Sequence, residues 1–324
     1  VSPRRRIVLA FIVSLTVGLA GYWVWYAPRP TVGGGYPDGP VARWAKSRVY
    51  AGVSPLDEAG YKRLTPDNAA GWHGVFREPI QSFEYYRSIN PTRPTPQRRT
   101  IVLQPIGPFN AEQKFLLNEL KYYCEVFFQL PARMAPPVAL DLTPDGRNQN
   151  RTEQYDAGTI LERVLMPRLP DDAAAYLGIT MEDLTVEGLN YVFGLGSFAE
   201  RVGVYSLCRY YPQFWGRKPM PKDKPVVLRR ACQVLNHEMG HMLGMEHCVL
   251  YKCSLNGGNS LADSDGTPLE YCPVCHRKLL WNVGIDGAKR YRELVAFYRS
   301  RGLSEEARWT QARLENWNKL SSQE

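Results

Sequence analysis

Apolar and polar positions change rhythm several times along this chain. Ile7 to Tyr26 (IVLAFIVSLTVGLAGYWVWY) runs twenty residues without a charge, enough to cross a bilayer as a helix. Arg4, Arg5 and Arg6 precede it, and Tyr22, Trp23, Trp25 and Tyr26 gather at its far end. These flanks suit an anchored helix with a cytoplasmic N-terminus. Two other readings stand beside it. A buried core helix is rarely apolar on every face, and a cleaved signal peptide has only the weak site Gly18-Leu19-Ala20. The expectation is an uncleaved membrane anchor over 1–26 with an extracytoplasmic domain behind it. Pro28 to Pro40 (PRPTVGGGYPDGP) forms no regular element, so 27–42 is a linker.

Residues 43–100 form a turn-rich lead-in, with a short helix near Pro79 to Ser88 and a breaker-rich approach from Asn90 to Thr100. His73, in this stretch, has a surface or packing role. The main domain, 101–324, opens with a strand at Ile101 to Gln104. Ala111 to Phe128 repeats Phe115, Leu116, Leu120, Tyr123, Val126 and Phe127 near the helical period. Pro136 to Leu140 is expected as a second strand, Asp145 to Gln154 as polar loop, and Ala157 to Met166 as helix. Ala173 to Ile179 fits a buried strand and Val202 to Arg209 an edge-like one. Pro212 to Pro225 is a basic, proline-rich loop, and Val226 to Gly244 a long helix. Gly287 to Ser300 and Ser304 to Leu320 repeat apolar residues as amphipathic helices. Strands interleaved with helices predict an α/β (α+β) domain with a mixed twisted sheet.

Length and composition add a limit. At 324 residues there is room for one large domain or two small ones, and 44% hydrophobic with 22% charged residues is ordinary for a globular chain. The net charge of +8 comes without a long basic run or a nucleic-acid motif. An anionic membrane surface is therefore a more economical partner than nucleic acid.

The chemistry is concentrated in His237 to Cys248, HEMGHMLGMEHC. His237 and His241 are four apart and project from one helical face. Two imidazoles so placed can bind one zinc ion, with Glu238 beside them to take a proton from a metal-activated water. Gly244 can end the helix in the left-handed conformation and return His247 as a third ligand. Three protein ligands leave one tetrahedral position open, as in catalytic zinc sites. Cys248, Cys253, Cys272 and Cys275 follow as two close pairs separated by a loop, the spacing of a closed zinc-thiolate site. Cys272-Pro-Val-Cys275-His276 also fits the haem-attachment pattern, and a redox dithiol is a further rival without a thioredoxin-like context. Cys124, Cys208 and Cys232 are expected as small buried apolar residues.

HExxHxxGxxHC followed by three more cysteines at these intervals resembles the archaemetzincin family of zinc metallopeptidases, a branch of the metzincins. The match is closest to the longer, animal-type members. Blocks at Ile101 to Phe109, Pro170 to Leu184, Tyr191 to Tyr210 and Ser260 to Leu279 carry the resemblance beyond the motif. It runs in weaker form from about Gly71 to Tyr298 and leaves out the N-terminal apolar stretch. The family places Met two residues after the second Cys; here that position is Leu255, a change of similar volume. The resemblance implies peptidase activity and an edge strand beside the zinc that binds extended peptide, for which Gly203 to Arg209 is the candidate; a plain structural strand is the alternative.

The expected enzyme holds two zinc ions. The catalytic ion sits on His237, His241 and His247, with Glu238 as general base for peptide hydrolysis. The structural ion sits on Cys248, Cys253, Cys272 and Cys275. The alternative is a catalytically silent, membrane-anchored zinc module that binds peptides or protein partners. Leu255 points that way and the intact Glu238 against it.

Overall fold

The computed structural model describes residues 55–65, 72–76, 78–144, 146–147, 153–258 and 260–321. The anchor expected at Ile7–Tyr26 and the linker at 27–42 lie outside the described residues. Among those described, no helix is long and apolar enough to cross a membrane.

Three short helices lead in: α1 (Pro55–Glu58), α2 (Trp72–Val75) and α3 (Phe83–Ser88). Ser82 caps α3 by accepting from the Tyr85 N–H, close to where the sequence placed a short helix. The first strand, β1 (Thr100–Ile106), is buried from Ile101 onward. Helix α4 (Ala111–Phe128) starts with a reciprocal cap: Asn110 Oδ1 accepts from the Gln113 N–H at 2.9 Å and Gln113 Oε1 from the Asn110 N–H at 2.8 Å. Its core stripe is Leu116, Leu120, Tyr123 and Phe127. Phe115, expected in that stripe, is 67% exposed, because it lies about 100° around the helix from Leu116.

The second strand departs from expectation. It is β2 (Ala132–Met134), parallel to β1, and not Pro136 to Leu140. Pro136 and Pro137 have no N–H to give a ladder, so only Val138 bridges back, to Ile106. β3 (Gly146–Arg147) and β4 (Glu153–Asp156) occupy the ends of the stretch expected as loop. The helix expected at Ala157 to Met166 begins as α5 (Ala157–Ile160), widens into a π turn at Leu161–Leu165 and tightens into a 3-10 turn at Met166–Arg168. Pro167 lacks the N–H that would continue an α-helical ladder.

Next come β5 (Ala173–Thr180), β6 (Asp183–Thr185), β7 (Gly194–Gly196) and β8 (Val202–Ser206). The main sheet has the order β2-β1-β5-β8-β7, and a small sheet runs β3-β4-β6. All pairs of the main sheet are parallel except β7 with β8. The edge expected at Val202 to Arg209 is thus corrected. β8 is paired on both sides, and the edge at this end of the sheet is the three-residue β7. After α6 (Asp223–Met242) come α7 (Leu261–Asp265), α8 (Pro273–Val283), α9 (Gly287–Ser300) and α10 (Ser304–Ser321).

The sheet separates two apolar clusters. Leu103 and Leu177 pack with Leu120, Phe127, Leu235 and Met239 of α4 and α6. Val102 and Tyr176, their chain neighbours, join Ile160, Leu165 and Val204 in the other cluster. Adjacent strand residues face opposite sides, so a sheet buried on both faces needs continuous apolar runs. β1 and β5 provide them, and the α/β architecture follows.

Candidate metal centres

Helix α6 carries His237 and His241 on its last turns, then ends abruptly. Gly244 takes φ of +81°, its N–H donates to the His241 carbonyl at 2.7 Å, and the Met245 N–H donates to the Gly240 carbonyl at 2.9 Å. The left-handed turn satisfies the last carbonyls and sends the chain back, which returns His247. One ring nitrogen of each of the three histidines then lies within 4.8 Å of the others. His237 Nε2 is 2.9 Å from His241 Nε2 and 3.2 Å from His247 Nε2. Nitrogens tetrahedrally bound to one zinc are about 3.3 Å apart, from Zn–N bonds near 2.0–2.1 Å, so the group fits such an ion.

The outer ring nitrogens explain the orientation. His237 Nδ1 meets the Ser254 carbonyl at 3.1 Å, His241 Nδ1 the Met245 carbonyl at 2.8 Å, and His247 Nδ1 the Glu78 carboxylate at 2.6 Å. Each partner is an acceptor, so each Nδ1 carries the proton and each Nε2 presents a lone pair inward. Burial, then the neighbouring His247, lowers the His237 imidazole to about 3. Burial, then the other two rings, holds His241 well below its ordinary value. Both are neutral rings, the form that ligates metals.

Glu238 lies between the two helix histidines in sequence and is 3% exposed. Burial pushes its carboxyl well above the usual carboxylate range, opposed by a hydrogen bond from the Gly196 N–H of β7. Only glycine fits there. A Cβ on Gly194 would come within 2.5 Å of Glu238 Oε1, and one on Gly196 within 2.7 Å of the Glu238 carbonyl. The Ser197 N–H and the Phe193 carbonyl bond inward to β8. By the alternation of antiparallel pairing, Gly194 and Gly196 direct their main-chain groups to the open side. Glu238 therefore sits against the sheet's free edge.

Cys248, Cys253, Cys272 and Cys275 bring their sulfurs within 4.8 Å of one another, with Cys248 and Cys272 at 3.6 Å. Sulfurs around a tetrahedral zinc lie about 3.8 Å apart, from Zn–S bonds near 2.3 Å. All four are at most 4% exposed. The other thiols' hydrogen bonds hold Cys248 well below the ordinary thiol value, while burial pushes Cys253 and Cys272 up. Thiolates crowded this closely out of water repel one another, and a divalent cation offsets that repulsion. The haem alternative does not fit: thioether bonds need Cys272 and Cys275 to face a macrocycle, and here they face Cys248 and Cys253. His276 is buried, with Nδ1 3.3 Å from the Tyr291 hydroxyl.

Asn256 ties the loop between the clusters. Its amide donates to the carbonyls of Cys248 at 2.6 Å and Tyr251 at 2.8 Å, and its Oδ1 accepts from the Cys253 N–H. Leu255 is fully buried beneath α6, where a Cβ on Gly240 would lie 2.4 Å from its Cδ2. Cys124, Cys208 and Cys232 are buried, and burial pushes the Cys208 thiol up to about 12. His73 is buried too. The sequence reading missed Glu78, Trp72, Gly194, Gly196 and Asn256. Glu78 lies 169 positions from its histidine, a separation no local pattern signals.

Residues 147–280 match peptidase family M54. The chain is 33% identical over 267 residues to archaemetzincin-2 of Rattus norvegicus, covering 72% of this chain and 74% of that protein. It is 37% identical over 187 residues to archaemetzincin of Pyrococcus furiosus, covering 58% of this chain and 95% of that one. A crystal structure of archaemetzincin from Methanopyrus kandleri overlays 59% of this chain and 99% of that one, with a TM-score of 0.48 and 23% identity. The chain belongs to the archaemetzincin family, the zinc metallopeptidases of peptidase family M54.

Proposed function

We propose that this protein hydrolyses peptide bonds at the three-histidine centre, with His237, His241 and His247 as zinc ligands and Glu238 as general base. A second zinc belongs on Cys248, Cys253, Cys272 and Cys275. The observation that carries the reading is the convergence of three inward-facing Nε2 atoms beside a buried carboxylate held at the edge of the sheet. Zinc bound there lowers the pKa of water and polarises a carbonyl. Glu238 takes a proton from the attacking water and returns it to the leaving amine. Burial makes its carboxylate a stronger base than a solvated one. The Gly196 N–H keeps that carboxylate aimed along β7.

Substrate binds as an added strand. The Gly194 N–H and the carbonyls of Gly194 and Gly196 face the open side of β7, and an extended peptide can pair with them. Its scissile bond would then run past Glu238, which touches the same two glycines. Ile7–Tyr26 is the proposed membrane anchor, with the peptidase domain extracytoplasmic. The anchor predicts that the intact chain sediments with membranes and resists salt extraction, and a mature form beginning near Gly21 would show a signal peptide instead.

The test of the catalytic assignment is Glu238→Gln. It leaves all proposed ligands in place, so zinc content should be unchanged. Hydrolysis of the best peptide from a library screen should fall by about 10²–10⁴-fold. Equal rates at matched zinc content would remove Glu238 from the mechanism.

A further inference from the structure

The three histidines are not oriented alike. His237 and His241 lean on main-chain carbonyls, of Ser254 and Met245. His247 leans on a charged side chain delivered from 169 residues upstream, at 2.6 Å. That carboxylate is itself fixed: Glu78 Oε1 takes His247 Nδ1, and Glu78 Oε2 accepts from the Trp72 indole N–H at 3.0 Å. The Trp72 ring also stands edge-on to His247, with centroids 5.3 Å apart. Three residues on, Gln81 grips the turn that joins the second histidine to the third. Its amide donates to the Gly244 carbonyl at 3.0 Å, and its Oε1 accepts from the Glu246 N–H at 3.1 Å. Trp72, Glu78 and Gln81 together form a strap across the His241–His247 turn.

We propose that Glu78, braced by Trp72, is a positioning residue for the third zinc ligand. It fixes the His247 tautomer and ring angle. A solvent-exposed ion pair would do neither, since such pairs hold no single geometry. Here the two side chains are only 12% and 23% exposed, and both carboxylate oxygens are engaged. A carboxylate behind a ligating histidine sharpens both orientation and donor strength, and losing one commonly costs 10–100-fold in metal affinity. The region that matches the peptidase family begins at residue 147, so the strap lies outside it. The inference rests on the reading of the three histidines as zinc ligands.

The experiment compares wild type, Glu78→Leu, Trp72→Phe and His241→Ala as full chains. Zinc affinity is read by competition with a chromogenic chelator, and the visible spectrum is recorded after cobalt replaces zinc. Thiolate-to-cobalt charge transfer reports the four-cysteine site, and the weaker d–d bands report the three-histidine site. Glu78→Leu should weaken the three-histidine site by about 10–100-fold and shift its d–d bands, with the charge-transfer band intact. Trp72→Phe keeps the ring and loses the N–H, so it should move both readouts the same way by less. It also keeps the test alive if Glu78→Leu fails to fold. His241→Ala separates the two readings. If it loses no metal, the histidine site itself is wrong. If it loses one ion while Glu78→Leu and Trp72→Phe bind as wild type does, the positioning role alone is overturned. Equal weakening of both sites would also overturn it, because that marks a general structural effect.

Discussion

The two candidate ligand clusters adjoin at the His247–Cys248 peptide bond and are built on opposite plans. The four cysteines form a closed set, at most 4% exposed, and take their positions from the tight loops around them. The three histidines form an open set beside a sheet edge, and their outer nitrogens reach three separate parts of the chain. A closed site needs only local chain geometry and satisfies its own ion. An open site leaves one position for chemistry, so its geometry has to be imposed from outside. The cysteine cluster serves as a clamp for the histidine cluster: Cys248 N–H bonds the Leu255 carbonyl at 2.8 Å, and the Ser254 carbonyl beside it orients His237.

If the cysteine cluster clamps the other, breaking it should damage both. Cys272→Ala should therefore have the largest effect, losing one zinc, most thermal stability and peptide hydrolysis together. Structural zinc contributes on the order of 10 kcal/mol in small modules, and less where a large core supports the fold. Thermal unfolding beside metal analysis checks this; a variant that melts like wild type and stays fully active would dissolve the contrast. The reverse break should be one-sided. His241→Ala, or brief chelation, should abolish hydrolysis while one thiolate-held zinc and most of the melting temperature remain, as read by metal analysis and calorimetry.

Smaller changes sharpen the comparison at the open site. Gly196→Ala would set a Cβ 3.0 Å from that of His241 and 2.7 Å from the Glu238 carbonyl. β7 must move away from α6. Misplacement of about 1 Å at a reacting centre can cost 10²-fold, so turnover should drop by one to two orders of magnitude with zinc content unchanged. Leu255→Met should be the mildest, with a stability change under about 1.5 kcal/mol and near-normal hydrolysis. A larger loss would mean that this position does more than fill space beneath Gly240.

What the sequence disclosed follows the same division. His237 and His241 share a face because they are four residues apart, and the cysteine pairs are close in sequence, so local spacing revealed both groups. Helix α4 was legible through its periodicity and Gly244 through its place after the last turn. The free edge was not. Gly194–Gly196 has no alternating side chains, and it is a strand only because β8 lies next to it. Val202 to Ser206 looked like an edge because nothing in its own residues reveals a neighbour. Helix α8, with Cys272 at its N-cap, is only 11 residues long, about the shortest stretch over which a helical period can be read. Glu78 and Gln81 meet the site only through tertiary folding, where periodicity carries no information.

The shared peptide bond between His247 and Cys248 also sets an order of events during synthesis. All three histidines have left the ribosome when residue 247 emerges, and the strap was made long before. Cys272 and Cys275 come 25 and 28 residues later, an interval on the order of one to six seconds at ordinary elongation rates. Until then the loop that carries the third imidazole has half its sulfurs and nothing to close on. A growing chain thus carries every residue proposed to cut peptides well before the parts that lock them in place, and chains stalled in that window are born unlatched.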